Sequence, residues 1–148
     1  MKVRINFGAL KKVKDKITQT FGGHGDRVDA DELMSDILRV AGNRCLAKTI
    51  KRTPVDTGNL RQNWELGDVT KRGFNYTVEM ENPVEYASYV EFGHRQEVGR
   101  YVPAIDKRLV APWVEGKYMA TKSVDEVKEE LPKIAEERIN KKLAEIFK

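Results

Sequence analysis

Apolar residues in the first third of the chain recur at steps of three and four, the period of a helix with one buried face. Phe7, Leu10, Val13, Ile17 and Phe21 form the first stripe, and Lys11, Lys12, Lys14 and Lys16 occupy much of the remaining surface. Gly22, Gly23, His24 and Gly25 then break the helix. Without the Lys-Ser/Thr pair of a phosphate cradle, this cluster reads as a flexible linker. Asp29 can cap a second helix, with Glu32 three residues later completing a capping box. Its stripe is Ala30, Met34, Ile37, Ala41 and Cys45, widened by Leu33, Leu38, Val40 and Ile50. That helix must stop near Arg52, because Pro54 disfavours helical geometry at Thr53 and donates no hydrogen bond.

The period then changes to two. Residues 64–71 and 74–81 read as strands joined at Arg72-Gly73, and Tyr76, Val78 and Met80 alternate with Asn75, Thr77 and Glu79. Asn82-Pro83 ends the second strand. Between Gly93 and Gly116 periodicity fades: Gly93, Gly99, Gly116, Pro103 and Pro112 punctuate the segment, with short strands expected at 97–102 and 111–115. A stretch this long with so little pattern is more often an assembly loop than filler, and residues 93–116 are expected to be mobile. The chain closes on a helical stripe of Val124, Val127, Leu131, Ile134, Ala135, Ile139, Leu143 and Ile146, opened by a capping box of Ser123 and Glu126. The stripe keeps its phase across Pro132, which predicts a kink in one long helix over a break into two. The order of elements predicts one α+β domain over residues 1–148, a small antiparallel sheet packed by the N-terminal helices and the long C-terminal helix.

Length and charge narrow this picture little. A chain of 148 residues suits one hydrophobic core, and 27 Lys and Arg against 23 Asp and Glu leave a formal net charge of +4. That balance allows contact with nucleic acid without requiring it. Cys45 is the only cysteine, so no intrachain disulfide can form, and its apolar neighbours Val40, Ala41 and Leu46 predict a buried thiol instead of a reactive one. No apolar run is long enough to span a bilayer, and residues 1–6 lack the apolar core of a signal peptide, so synthesis in the cytoplasm without secretion is expected.

Candidate chemistry is sparse. Asp56-Thr57-Gly58 matches the catalytic triplet of aspartic proteases, but those enzymes pair two such carboxylates, so Asp56 could act only in a homodimer. Pro54 precedes the triplet where an apolar strand would be needed. The structural reading is that Asp56 or Thr57 caps a short helix opening at Asn59. His24 and His94 are the only histidines and have no companions at metal-ligand spacing, and Ser88 lacks the glycines of a nucleophile elbow. No catalytic residue, cofactor or metal is expected. Tyr86, Tyr89 and Val90 share one face of a short helix and Phe92 falls off it. These side chains can fill the core between sheet and helices, or pack against a neighbouring subunit. Arg95, Arg100, Lys107 and Arg108 stand against Glu97 and Asp106 in the irregular segment. This is ordinary loop polarity or, in a ring, a surface that tolerates passing DNA through screened contacts.

Two motifs together carry a resemblance: Thr53-Pro54-Val55-Asp56-Thr57-Gly58 followed by Leu60-Arg61, and Tyr86-Ala87-Ser88-Tyr89-Val90-Glu91-Phe92-Gly93. The pair resembles the head–tail joining or tail-completion proteins of long-tailed bacteriophages and prophages. Trp113-Val114-Glu115-Gly116-Lys117-Tyr118-Met119 is similar to the PBSX-like prophage branch. The segment from Glu97 to Val110 departs from simpler members, which run from glycine to a short proline-containing stretch. The resemblance implies a structural protein of the virion neck that forms a ring, a hexamer, docks on the connector and tail-tube proteins, and performs no catalysis. It implies structural roles for Pro54, Asp56, Thr57, Gly58, Leu60, Trp64, Tyr86, Tyr89, Phe92 and Gly93, and partner docking by His94, Arg95, Arg100, Lys107 and Arg108. Two rivals remain on the residues alone: a basic nucleic-acid-binding module using the lysines of the first helix, and a homodimeric protease using Asp56.

Overall fold

The computed structural model describes residues 1–5, 10–23, 28–56, 58–73 and 75–147. Phe7, His24, Gly25, Thr57 and Phe74 lie outside the described residues. The remaining stripes bury as their spacing predicts. Helix α1 (Leu10–Phe21) buries Val13, Ile17 and Phe21, and α2 (Ala30–Arg52) buries Met34, Ile37, Ala41 and Cys45 together with Leu33 and Leu38. The Asp29 side chain accepts from the Asp31 and Glu32 amides, and the helix ends at Thr53 beside Pro54.

The sheet is centred on β4 (Asn75–Glu81), whose Tyr76, Val78 and Met80 are buried in strict alternation. Strand β1 (Lys2–Ile5) pairs antiparallel along it from Lys2 opposite Glu81 to Ile5 opposite Val78. The hydrophobic pattern did not announce this strand, because four residues give too short a period to read. The expected single strand over 64–71 is two pieces, β2 (Glu65–Leu66) and β3 (Thr70–Arg72). Leu66 faces Met80 and Thr70 faces Thr77, so four steps on one strand match three on β4. One extra residue is absorbed as a bulge around Gly67, whose amide donates to the Glu79 carbonyl at 2.8 Å.

Helices α2 and α5 (Met119–Ile146) pack on each other and on one face of this sheet, which is the predicted α+β layering. Leu131, Ile134, Ala135 and Ile139 of α5 are all at most 2% exposed. The helix runs unbroken through Pro132, which is exposed. The carbonyl left without that N–H belongs to Lys128, also an exposed residue, so water can satisfy it. The expected start at Ser123 is corrected: α5 begins four residues earlier, and Ser123 is buried inside it, donating to the Met119 carbonyl at 2.6 Å. Glu126, the other half of that expected box, reaches across to α2.

A ladder of charges lines the α2–α5 seam. Arg44 reaches Glu130 and Glu137, Lys48 reaches Glu126 and Glu130, Arg52 reaches Glu126, and Arg138 meets Asp36 at 2.7 Å. Hydrogen bonds from Arg52 first and Lys48 second hold the Glu126 carboxyl below its ordinary range, and Lys48 does the same for Glu130. Cys45 sits in the same layer, fully buried, and burial pushes its thiol up to about 12.

Candidate docking surface

The first motif builds a rigid corner. Thr53 is buried, its hydroxyl donating to the Thr49 carbonyl at 2.7 Å and accepting from the Trp64 indole N–H at 2.9 Å. The Arg61 guanidinium closes on the Thr53 carbonyl at 2.9 Å, and the buried Asn82 amide donates to the Leu60 carbonyl at 2.8 Å. Helix α3 (Asn59–Gln62) therefore starts from a backbone pinned on both sides. Its N-cap is Gly58 at φ 82, a residue with no side chain to offer. Of the two residues expected to cap it, Asp56 does not occupy that position, and Thr57 lies outside the described residues. Asp56 is exposed. Pro54, Asp56, Gly58 and Leu60 meet Tyr86 and Val90 around a groove of about 200 Å³, so the structure brings the two motifs together. Among the described residues, Asp56 is the only acidic one lining it.

The second motif forms α4 (Ala87–Phe92), and its inward face is not the aromatic one. Ala87 and Glu91, one turn apart, are fully buried, whereas Tyr86 is 43%, Tyr89 58% and Phe92 52% exposed. The reading of these aromatics as core filler is corrected. A six-residue helix buries one narrow stripe, and the small alanine and the carboxylate occupy it.

Glu91 was the residue that sequence reasoning passed over. Its carboxylate accepts from the Ala120 amide at 3.0 Å, the Thr121 amide at 2.9 Å and the Thr121 hydroxyl at 2.7 Å. It thereby caps α5, whose own N-cap residue Tyr118 lies at φ 48 and makes no side-chain cap. The one available signal was position: Glu91 stands four residues after Ala87, on the side of the helix opposite Tyr89.

Residues 93–116 leave the body as an arm of two nested hairpins. Strand β5 (Gly93–Arg95) pairs with β8 (Trp113–Glu115), and farther out β6 (Tyr101–Val102) pairs with β7 (Lys107–Arg108). The strands expected at 97–102 and 111–115 are shorter than the pattern suggested. At the root the two chains touch. A Cβ at Gly93, φ 82, would fall 2.3 Å from the Val114 carbonyl oxygen, and one at Gly116 would fall 2.4 Å from that of Glu91. Only glycine fits at either position.

The arm exposes what a core would bury. Val98, Tyr101, Ile105, Val110 and Trp113 are all at least 44% exposed, and Val110 reaches 87%. With Tyr86, Tyr89, Phe92 and Tyr118 they give α4 and the arm an apolar surface; Phe92 meets Tyr118 edge-on at 6.4 Å, and Tyr89 packs beside His94 at 5.7 Å. Arg95, Arg100, Lys107 and Arg108 are exposed around it, Arg108 donating to the Gly99 carbonyl at 2.8 Å. His94 is half-buried, with Nδ1 lacking a hydrogen-bond partner among the described residues.

Among the described residues no three His, Cys, Asp or Glu side chains converge as a metal site, and no helix is long and apolar enough to cross a membrane. No curated protein and no solved structure matches the chain. The family described as "Bacteriophage HK97-gp10, putative tail-component" matches residues 11–93, a span that runs from α1 through both motifs to the root of the arm. The chain belongs to this family of bacteriophage structural tail components.

Proposed function

We propose that this tail component completes or joins the tail at the head–tail interface of a phage or prophage particle, and that copies of it form a ring there, a hexamer. The observation that carries this reading is the apolar surface of α4 and the arm, which the fold leaves uncovered. Large exposed apolar patches in soluble proteins mark contact surfaces, and tyrosine and tryptophan suit contacts with one dry and one wet edge. A contact between one protomer's arm and a different surface of the next is heterologous, and such contacts close into rings when the rotation permits. The remaining partners are the connector and tail-tube proteins of the neck. The protein works by docking and not by catalysis, assembling in the host cytoplasm into the virion. Pro54, Asp56, Gly58, Leu60, Trp64 and Gly93 shape the corner and the arm root, and Thr57 belongs to the same motif. Tyr86, Tyr89 and Phe92 provide contact area, and His94, Arg95, Arg100, Lys107 and Arg108 surround it, the cations tolerating DNA that passes through the ring.

The test is complementation of a deletion with the double variant Tyr89→Ser/Trp113→Ser. Unjoined heads and tails by electron microscopy, from a variant that remains folded, are the expected result. Normal infectious particles from that variant, or from the deletion itself, would overturn the reading.

A further inference from the structure

Glu91 is a fully buried carboxylate whose hydrogen bonds run to α5 and not to the helix that carries it, and among the described residues no cation pairs with it. Its charge is met instead by two backbone amides and a hydroxyl at the N-terminus of α5, where the helix dipole favours an anion. The same junction is stitched by backbone: the Lys117 amide donates to the Val90 carbonyl at 2.7 Å and the Tyr118 amide to the Glu91 carbonyl at 3.0 Å. Gly93 and Gly116 allow these two chains to approach this closely. Both chains of the arm thus emerge from one clasp, and that clasp is fastened to the longest helix of the protein.

We infer that Glu91 is a positioning residue that fixes the direction in which the arm leaves the body, so that the root of the docking surface is preformed before any partner arrives. The inference rests on the reading of the arm as the docking element. It divides the arm into two parts. The root, β5 and β8, is held by Glu91 through α5. The tip, β6 and β7, has only two residues per strand and is exposed except at the half-buried Val102, so it is the part left free to adapt. A preformed root lowers the ordering cost of docking, because only the tip has to be immobilised.

The experiment places spin labels at Arg95→Cys on the root and Lys128→Cys on α5 in the full chain, and measures their distance distribution by pulsed electron resonance. Cys45 is fully buried with its thiol pushed up to about 12, so the labels go to the introduced cysteines. A single narrow distribution is expected with Glu91 intact, and one at least about twice as broad with Glu91→Ala. An equally narrow distribution in folded Glu91→Ala protein overturns the inference.

If Glu91→Ala does not fold, Glu91→Gln and Thr121→Val remove part of the clasp, and hydrogen exchange reads the result. The amides of Ala120, Thr121 and residues 93–95 should exchange at least tenfold faster while those of Ile37 and Leu38 in α2 are unchanged. Equal acceleration in both places would mean that Glu91 merely stabilises the whole fold, and would overturn the positioning role. The docking reading fails separately: a broadened arm that still joins heads to tails at the normal yield keeps the role of Glu91 and removes the function assigned to the arm.

Discussion

The body and the arm follow opposite rules for the same residue types. In the body, most isoleucine, leucine and valine side chains of α2, α5 and β4 are sealed. Of the polar side chains buried with them, Thr53, Asn82, Glu91 and Ser123 are hydrogen-bonded, whereas the Thr49 hydroxyl has no partner among the described residues. In the arm, isoleucine, valine, tyrosine and tryptophan face outward over two short hairpins. Folding accounts for the first pattern, because each buried aliphatic side chain contributes about 1.5–3 kcal/mol. It gives no account of the second. Exposed apolar surface of this kind is what supports the docking reading of the arm.

The contrast breaks most readily in the core. Ile134→Ala should lower unfolding stability by about 2–5 kcal/mol, read from the urea midpoint, whereas Val110→Ala on the arm should move it by less than about 0.5 kcal/mol. Similar losses at the two sites would mean that the arm is folded into the body more tightly than its exposure indicates. Next in size is Thr53→Val, which leaves the buried Trp64 indole N–H without its acceptor and should cost about 1–3 kcal/mol by the same measurement. An unchanged midpoint would show that the corner does not depend on this bond.

Most of the body was legible from periodicity, and most of the arm was not, for a physical reason. The stripes of α1, α2 and α5 and the alternation of β4 exist because one face of each element must be buried, and burial imprints its period on the sequence. The arm has no buried face, so its strands of two or three residues leave only glycines and prolines as marks. Glu91 was missed for a related reason. A capping residue is usually sought just before its helix, and this one precedes Ala120 by 29 positions, a pairing that only the tertiary fold creates. The aromatics of α4 show the reverse, since hydrophobic type left core filling and subunit contact both open, and the outward placement on the helix removes the first.

Smaller effects sharpen the comparison. On the proposed ring assembly, the parent should form rings at high protein concentration, seen by sedimentation. The double variant Tyr89→Ser/Val110→Ser should abolish them while leaving stability within about 0.5 kcal/mol of the parent. Rings that persist would remove the arm from the interface. The smallest effect is that of pH on the α2–α5 charge ladder. Glu126 and Glu130 are held below their ordinary value of 4.5, so the stability they add is present above that value and is lost as pH falls through their lower folded values. Melting temperature should therefore decline below about pH 4.5, and less steeply in Glu126→Gln/Glu130→Gln. An identical acid limb in that variant would place the acid sensitivity elsewhere. Because these groups are partly solvated, the decline should be modest.

The paired glycines at the foot of the arm have a consequence for how such a protein can diverge. The chain departs at Gly93 and comes back at Gly116 within touching distance, so whatever lies between them can be lengthened, trimmed or exchanged without altering the span the rest must bridge. The molecule is in effect a fixed handle with an interchangeable tip, and on the docking reading two viruses could acquire different mating parts while keeping the same grip.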